Sequence, residues 1–249
     1  MAPATRRLPG MQPLDRTEWL VIDEAFAAQM ALRDRLLSDR RAEVYAEGAE
    51  AASRELLALI LRHLGPEYDR TASGVTRPDG VTVPLSDPPL LVAGRLVQED
   101  LCLLQKPEGG AEHVLSAAVL CFPASWTLAE KIGRPLTRIH RPVAPYDESM
   151  ATRVQRLFDL MHSDRPMWRQ NALFYEDPAL YQPAPEAAPR ETPAGRPGFV
   201  RSERQCLLKL PETGAIVFSI HTWVLPFARL TAAQRAGLES HPIETADRS

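Results

Sequence analysis

The stretch "FVRSERQCLLKLPETGAIVFSIHTWVL", residues 199–225, carries the clearest structural signal in the chain. It contains two long runs rich in apolar residues, separated by Pro211-Glu212-Thr213-Gly214. Proline and glycine in a short polar segment between two such runs are typical of a turn. The stretch therefore predicts a β-hairpin.

Side chains alternate between two faces along each predicted strand. In the first strand, Arg201, Glu203 and Gln205 share one face, whereas Arg204 lies on the other. Residues 206–208 are apolar on both faces, as in a central strand. Charged side chains that enter a covered sheet should be paired with each other or with charges on a ligand. The alternative is an edge strand that carries solvated charges.

The segments before the hairpin predict three more strands. "PLLVAGRLVQEDLCLLQK" has two apolar runs, at 90–97 and 101–106, on either side of a polar turn at 98–100. "HVLSAAVLCFP", residues 113–123, predicts the third. Short apolar runs bounded by turn residues favour strands. Together with the hairpin they give about five strands.

Helical spacing of apolar residues predicts helices on both sides of these strands. Two helices are expected over 17–64, beginning at Thr17 and ended by Gly65-Pro66. A short helix in "SWTLAEKIGRP" is expected to be capped by Ser125. An amphipathic helix is expected over 147–162.

These elements predict an α+β fold, with a bent antiparallel sheet and helices on one side. We expect a helical N-terminal extension at 1–65 and a second unit at 66–249. The proline-rich segment 181–198 is predicted to be a surface loop, because it has little apolar mass to bury. The chain lacks a glycine-rich phosphate loop and strand–helix alternation, which argues against a dinucleotide-binding fold.

Composition limits the classes of partner. The chain has 249 residues, of which 45% are hydrophobic and 24% charged, with a formal net charge of -3. That charge gives no field that favours nucleic acid or an anionic membrane surface. No apolar run approaches the roughly 20 residues of a membrane-spanning helix, and the N-terminus lacks the apolar core of a secretory signal. The three cysteines are far apart, which predicts buried free thiols and a cytoplasmic protein.

Two histidines stand out among the six in the sequence. His140 lies in "RIHRPVAPY", residues 138–146, where Pro142 and Pro145 stiffen the backbone that follows it. A rigid loop can hold one ligand in a single direction, although such a histidine can also merely bond a loop carbonyl. His221 lies inside a strand, and its alternative is a hydrogen-bonded sheet histidine.

A further motif is "MWRQN", residues 167–171. Trp168 offers a flat apolar surface, Arg169 a guanidinium fork that suits anions, and Asn171 an amide. The alternative is a cation–π pair on the surface.

In their order, "CFPASWTLAEKIGRPLTRIHRPVAPY", "RPMWRQN" and "RSERQCLLKLPETGAIVFSIHTWVLP" resemble the haem-dependent oxidative N-demethylase family. The resemblance runs over about residues 90–227. It implies a PAS-like fold that binds haem b and oxidatively removes a methyl group from a small secondary amine, releasing formaldehyde. It also implies oxygen as co-substrate and electrons from partner proteins that carry a flavin and an iron–sulfur cluster.

The same resemblance implies roles for single residues. His140 matches the family's histidine signature and would be the proximal ligand of the haem iron. Arg201, Arg204 and Arg169 would meet the haem propionates, and Glu203 would hold the cationic amine. The family usually has a longer basic residue at the position of His221, which either alters the pocket or offers a second axial ligand. The resemblance therefore implies Glu203 as the catalytic residue, His140 as the metal ligand, and a set of cofactor-binding residues that comprises His140, Arg169, Arg201, Arg204 and His221.

The resemblance leaves three hypotheses. The leading one is a haem-containing oxidoreductase subunit that acts on a small amine. The second is a PAS-like haem or ligand sensor without turnover, because one fold can serve several functions. The third is an interaction domain without a cofactor, which is expected if Trp223 and Phe218 fill the pocket.

Overall fold

The computed structural model describes residues 10–140, 148–188 and 198–240. Within these ranges the strands are β1 (Gln12–Pro13), β2 (Tyr45–Ala46), β3 (Asp69–Arg70), β4 (Gly74–Thr76), β5 (Thr82–Pro84), β6 (Asp100–Gln105), β7 (Val114–Val119), β8 (Met167–Tyr175), β9 (Phe199–Lys209) and β10 (Ile216–Pro226). The helices are α1 (Phe26–Asp39), α2 (Arg41–Val44), α3 (Glu50–His63), α4 (Pro89–Leu96), α5 (Leu128–Lys131), α6 (Leu136–Ile139), α7 (Glu148–Leu160) and α8 (Ala232–Ser240).

A seven-stranded antiparallel sheet forms the centre of the fold, with strand order β1-β8-β9-β10-β6-β7-β2. The predicted hairpin is confirmed as β9 and β10, which pair from Ile216 with Lys209 to Pro226 with Phe199. A second sheet, β3-β4-β5, has three short strands. The chain is therefore α+β, with more strands than the five that the sequence indicated.

Helices cover both faces of the large sheet, so the prediction that they lie on one side is wrong. Along β6, Leu101 and Leu103 join a core with α1, α3 and α4, whereas Cys102 and Leu104 join a core with α5, α6 and α7. Alternation along a strand gives each face its own apolar set. The fold thus has three layers, with the sheet in the middle.

The N-terminal helices belong to the same core as the sheet. Trp19 is 1% exposed, and its indole N–H donates to Ser219 Oγ on β10 at 2.9 Å. Residues on both sides of the expected boundary at 65 share one buried cluster. The helices of segment 10–65 therefore pack against the sheet as part of the same fold.

The apolar run at 90–97 is helix α4, not the strand that its composition suggested. Short apolar runs do not distinguish a buried helix from a buried strand, and here Pro89 begins the helix. At Gly94 an added Cβ would come within 2.7 Å of Val119, so the helix lies directly on β7. The expected polar turn at 98–100 is buried: Gln98, Glu99 and Asp100 are at most 2% exposed.

Other expectations had mixed outcomes. The amphipathic helix expected over 147–162 is confirmed as α7, with Phe158 buried, and the three cysteines are buried free thiols. Ser125 does not cap a helix but has a positive φ of 65°, and Thr127 precedes α5. Pro142 and Pro145 lie outside the described residues, as do 189–197 of the proline-rich segment. No helix in the described ranges is long and apolar enough to cross a membrane.

Candidate functional site

A cavity of about 540 Å³ lies between the sheet and helices α6 and α7. Its size falls within the roughly 300–1,000 Å³ that is usual for cofactor and ligand sites. Most of its wall is apolar. The apolar wall includes Cys102, Leu104, Leu136, Leu157, Leu207 and Phe218.

His140 lies on the wall of this cavity, directly after α6. Its Nδ1 is 2.9 Å from the carbonyl oxygen of Leu136. A carbonyl oxygen can only accept, so Nδ1 carries the proton and Nε2 carries the lone pair of the neutral ring. Burial lowers the pKa of His140, and the nearby charges of Lys131 and Arg169 lower it further, although the bond to Leu136 opposes them. The ring is therefore a neutral imidazole of the kind that ligates metals.

Arg169 places a guanidinium on the same cavity wall, from β8. Its Nε donates to Gln205 Oε1 at 2.8 Å, and no carboxylate of the described residues forms an ion pair with it. Burial lowers the pKa of Arg169, although the charge of Glu203 opposes that shift. A desolvated guanidinium that faces a cavity without its own carboxylate suits an acidic group of a ligand.

Glu203 on β9 is the acidic side chain at the centre of the cavity's polar wall, and it is 5% exposed. Arg201 Nε donates to its Oε1 at 3.1 Å. Asn171 Nδ2 and Gln205 Nε2 donate to its Oε2 at 3.3 Å and 3.1 Å. Since a carboxylate has about four acceptor positions, these three donors fix the group in place and leave room for one more.

Arg201 shares a face with Glu203, as the alternation predicted, but its guanidinium is already hydrogen-bonded within the protein. It is 1% exposed and donates to the backbone carbonyls of Leu180 and Phe122 as well as to Glu203. It also lies 5.8 Å from the ring centroid of Tyr175. It is absent from the cavity wall, so its contribution is to hold Glu203 and two loops rather than to meet a ligand.

An acidic residue from the proline-rich segment closes one side of the cavity. Glu186 accepts from Lys131 Nζ at 2.7 Å and from Arg138 at 3.0 Å, and its backbone N–H donates to Glu130. Lys131 Nζ also donates to the carbonyl of Ile139, next to His140. These contacts dock residues 184–186 against the end of α6.

Arg204 and His221 lie on the opposite face of the sheet, and the prediction that they take part in this pocket is not supported by the structure. Arg204 stacks over Trp168 at 5.4 Å and borders an open surface depression. His221 pairs with Arg204 across the β9–β10 ladder and shares its face. The backbone of the sheet separates both side chains from His140, so neither can reach the same ligand.

His221 has its own buried partners. Its Nδ1 is 3.0 Å from Glu99 and its Nε2 is 3.2 Å from Asp23. Burial alone would lower the pKa of His221, but the hydrogen bonds and charges of Asp23 and Glu99 raise it to about 9. The protonated ring thus ties the loop before α1 to the sheet, which is a structural role.

The residues of the cavity fit a haem group. The wall is apolar, as a macrocycle requires, with one neutral imidazole and one guanidinium that suits a carboxylate. In the described ranges, no three His, Cys, Asp or Glu side chains come together as a metal-binding group. Cys102 also lines the cavity, but burial raises the pKa of its thiol, which makes it a poor ligand.

An interaction domain without a cofactor was expected if Trp223 and Phe218 filled the pocket, and these two side chains do not fill it. Phe218 lines the cavity without filling it, and Trp223 lies beside His221 on the other face, with ring centroids 4.4 Å apart. His113 is 4% exposed and packs edge-on against Phe158.

Sequence reasoning missed Glu186 and Lys131 as cavity residues. Their separation of 55 residues carries no local pattern, so only the folded chain brings them together. It also missed β8 as a strand. Polar side chains lie on both faces of β8. The strand therefore lacks the alternation of polar and apolar residues that is typical of a half-buried strand.

One family model, described as haem-dependent oxidative N-demethylase, alpha subunit-like, matches residues 10–243. The match spans the helical N-terminal segment, the sheet and every residue of the cavity described above. The chain belongs to this family.

Proposed function

We propose that this member of the family binds haem b in the cavity, with His140 as the protein ligand of the iron, and demethylates a small secondary amine oxidatively. One observation carries the proposal: a neutral imidazole, a guanidinium without an ion-pair partner among the described residues, and a buried carboxylate line one largely apolar cavity. The PAS-like character of the sheet is part of the same proposal. Haem supplies the iron chemistry by which a methyl group is removed from an amine.

His140 contributes a fixed ring. The bond from Nδ1 to Leu136 sets both the tautomer and the orientation of the imidazole, and it makes Nε2 a better donor to iron. Lys131 and Glu186 hold the end of α6 from the other side. The ligand is therefore positioned before any cofactor arrives.

Arg169 contributes positive charge at the cavity wall. We assign it to an acidic group of the cofactor, because its guanidinium is desolvated and Gln205 already orients its Nε. A charge-assisted, bidentate contact from arginine is stronger and more directional than a neutral one. Arg201 acts through Glu203 and does not meet the cofactor in this proposal.

Glu203 contributes the negative charge that a cationic amine needs. Three donors hold its carboxylate in one orientation, so little reorganisation is required when the ammonium arrives. The apolar wall excludes water around this contact and strengthens it. Glu203 therefore orients the amine so that a methyl group points into the cavity.

The electrons are assigned to a separate partner. The cysteines of the chain are buried as single free thiols, and burial raises the pKa of Cys121 and Cys206 to about 12. Such thiols do not form the ligand set of an iron–sulfur cluster. The proposal places flavin and iron–sulfur cluster on partner proteins.

The experiment combines a spectrum with turnover. Purified protein is reconstituted with haem and supplied with a chemical reductant in place of the partner proteins, and its visible spectrum, consumption of reductant and release of formaldehyde are recorded with and without dimethylamine. The proposal expects a Soret band and amine-dependent formaldehyde. A Soret band without formaldehyde would favour a sensor, and the lack of a Soret band would end the proposal.

A further inference from the structure

Two buried polar atoms flank Glu203 in the sheet without a hydrogen-bond partner. Asn171 on β8 and Thr222 on β10 both pair with Glu203 across the antiparallel ladders. Among the described residues, neither Asn171 Oδ1 nor Thr222 Oγ1 has a partner. Buried polar groups are almost always satisfied, so each such atom calls for an explanation.

The orientation of the Asn171 amide is fixed by its neighbour. Its Nδ2 lies 3.3 Å from Glu203 Oε2, and an ionised carboxylate can only accept. The NH₂ group must therefore face Glu203, and Oδ1 is the acceptor that is left over. Asn171 also lines the cavity, whereas Thr222 does not. The unused acceptor thus belongs to a residue that lines the cavity where a ligand would bind.

We propose that Asn171 Oδ1 accepts the second N–H of a secondary ammonium ion whose first N–H is donated to Glu203. This inference rests on the proposed function, and it adds the residue that selects the class of amine. Glu203 and Asn171 are direct cross-strand partners, and Asn171 Nδ2 lies 3.3 Å from Glu203 Oε2, so the ends of the two side chains are adjacent. Asn171 is then a specificity-determining residue of the amine site.

The chemistry of the ammonium ions explains the selection. A dimethylammonium ion has two N–H donors, whereas a trimethylammonium ion has one. Trimethylammonium can satisfy Glu203 but leaves Asn171 Oδ1 without a partner from the ligand. A site built around a hydrogen bond rejects ligands that lack it, because the buried group of the protein remains unpaired. The site therefore favours secondary over tertiary amines.

The test compares two substitutions that each remove one unpartnered atom. Asn171→Leu keeps a similar side-chain size but removes Oδ1. Thr222→Val removes the hydroxyl without a hydrogen-bond partner that lies on the other side of Glu203. Asn171→Leu also removes one donor to Glu203, which affects both amines alike. The informative quantity is therefore the ratio of the two dissociation constants, trimethylamine over dimethylamine.

Calorimetry on the haem-reconstituted protein gives these constants without turnover. We expect the ratio to fall by about tenfold or more in Asn171→Leu, the effect of one charge-assisted hydrogen bond. Thr222→Val should leave the ratio unchanged. An unchanged ratio in Asn171→Leu would overturn the inference and would mean that a water molecule satisfies Oδ1. An equal fall in both variants would also overturn it, because the effect would then be structural.

The same samples separate this inference from the proposed function. The absorption spectrum of the wild type reports whether haem is present at all. If the wild type has a Soret band and Asn171→Leu leaves the ratio of the two dissociation constants unchanged, only the proposed role of Asn171 is contradicted. A wild type without a Soret band would sink the proposed function, and with it the amine site to which this inference assigns Asn171. Absence of amine binding to the wild type would contradict the inference directly.

Discussion

His140 and His63 make the same local contact at the ends of two helices. In each, Nδ1 lies 2.9 Å from the carbonyl oxygen four residues earlier, Leu136 for His140 and Leu59 for His63. This contact fixes the same tautomer in both rings. What differs is the surroundings: His63 packs edge-on against Trp19, whereas His140 faces the cavity. The two histidines thus differ in what each ring faces, and the proposed ligand role belongs to His140 alone.

The first prediction concerns Arg169. Arg169→Gln should weaken haem binding by about ten- to a hundredfold, the effect of one lost charge-assisted hydrogen bond. The apoprotein should keep its thermal stability or gain some, because a desolvated charge is removed. Haem titration and thermal melts check both. Arg204→Gln is the matched control on the opposite face of the sheet, and an equal loss of haem affinity there would show that the faces are wrongly assigned.

The second prediction concerns Glu203. Glu203→Gln leaves the guanidinium of Arg201 buried without its carboxylate, which we expect to cost about 3 kcal/mol in the free energy of unfolding. Urea denaturation measures it. Glu43→Gln removes an exposed ion pair with Arg40 and should cost about 0.5 kcal/mol or less. Similar losses of unfolding free energy in Glu203→Gln and Glu43→Gln would mean that another group compensates the buried charge of Arg201.

The third prediction concerns Glu186. Its ion pair with Lys131 is largely shielded, since the two side chains are 25% and 6% exposed. Glu186→Gln should raise the rate at which haem leaves the cavity by roughly fivefold, which corresponds to about 1 kcal/mol. Transfer of haem to an excess of an acceptor protein gives this rate. Asp159→Asn removes the exposed partner of Lys106 and should not change it. Equal rates for wild type and Glu186→Gln would show that segment 184–186 does not retain the cofactor.

The fourth prediction concerns the pH dependence of stability. The pKa of His221 rises from 6.5 to about 9 on folding, because burial is outweighed by its bonds to Asp23 and Glu99. The protonated ring therefore stabilises the fold fully below about pH 6.5, and this stabilisation is lost as the pH rises through 9.

A comparison with His221→Gln measures this contribution, because groups that do not contact His221 titrate alike in both proteins. The stability difference between wild type and variant should be about 3 kcal/mol larger at pH 6 than at pH 10. The difference should shrink between pH 6.5 and pH 10 in thermal melts. A difference that stays constant over this range would show that His221 is neutral in the folded protein.

Much of the sheet could be predicted from the sequence, because local alternation and turn residues encode it. The hairpin of β9 and β10 and the strand β7 came from such patterns. Helix α4 did not, because an apolar run of its length fits either a buried helix or a buried strand. Strand β8 was missed because it presents polar groups to the cavity, which hides its alternation.

The candidate site was predicted only in part. Alternation already placed Arg204 and Glu203 on opposite faces of β9, and the structure agrees, so the joint assignment of both to one pocket could not hold. His221 is excluded for the same reason. The contact of Asn171 with Glu203 depends on the register of β8 against β9, which the sequence does not reveal.

The role of His140 is tested by the visible spectrum of two variants after haem reconstitution. His140→Ala and His63→Ala each remove a histidine whose Nδ1 bonds the carbonyl of the preceding turn, so their effects on helix ends should be alike. We expect His140→Ala to lose the Soret band of stably bound haem, with its circular dichroism unchanged, and His63→Ala to keep it. A normal Soret band in His140→Ala would contradict the assignment of His140 as the iron ligand.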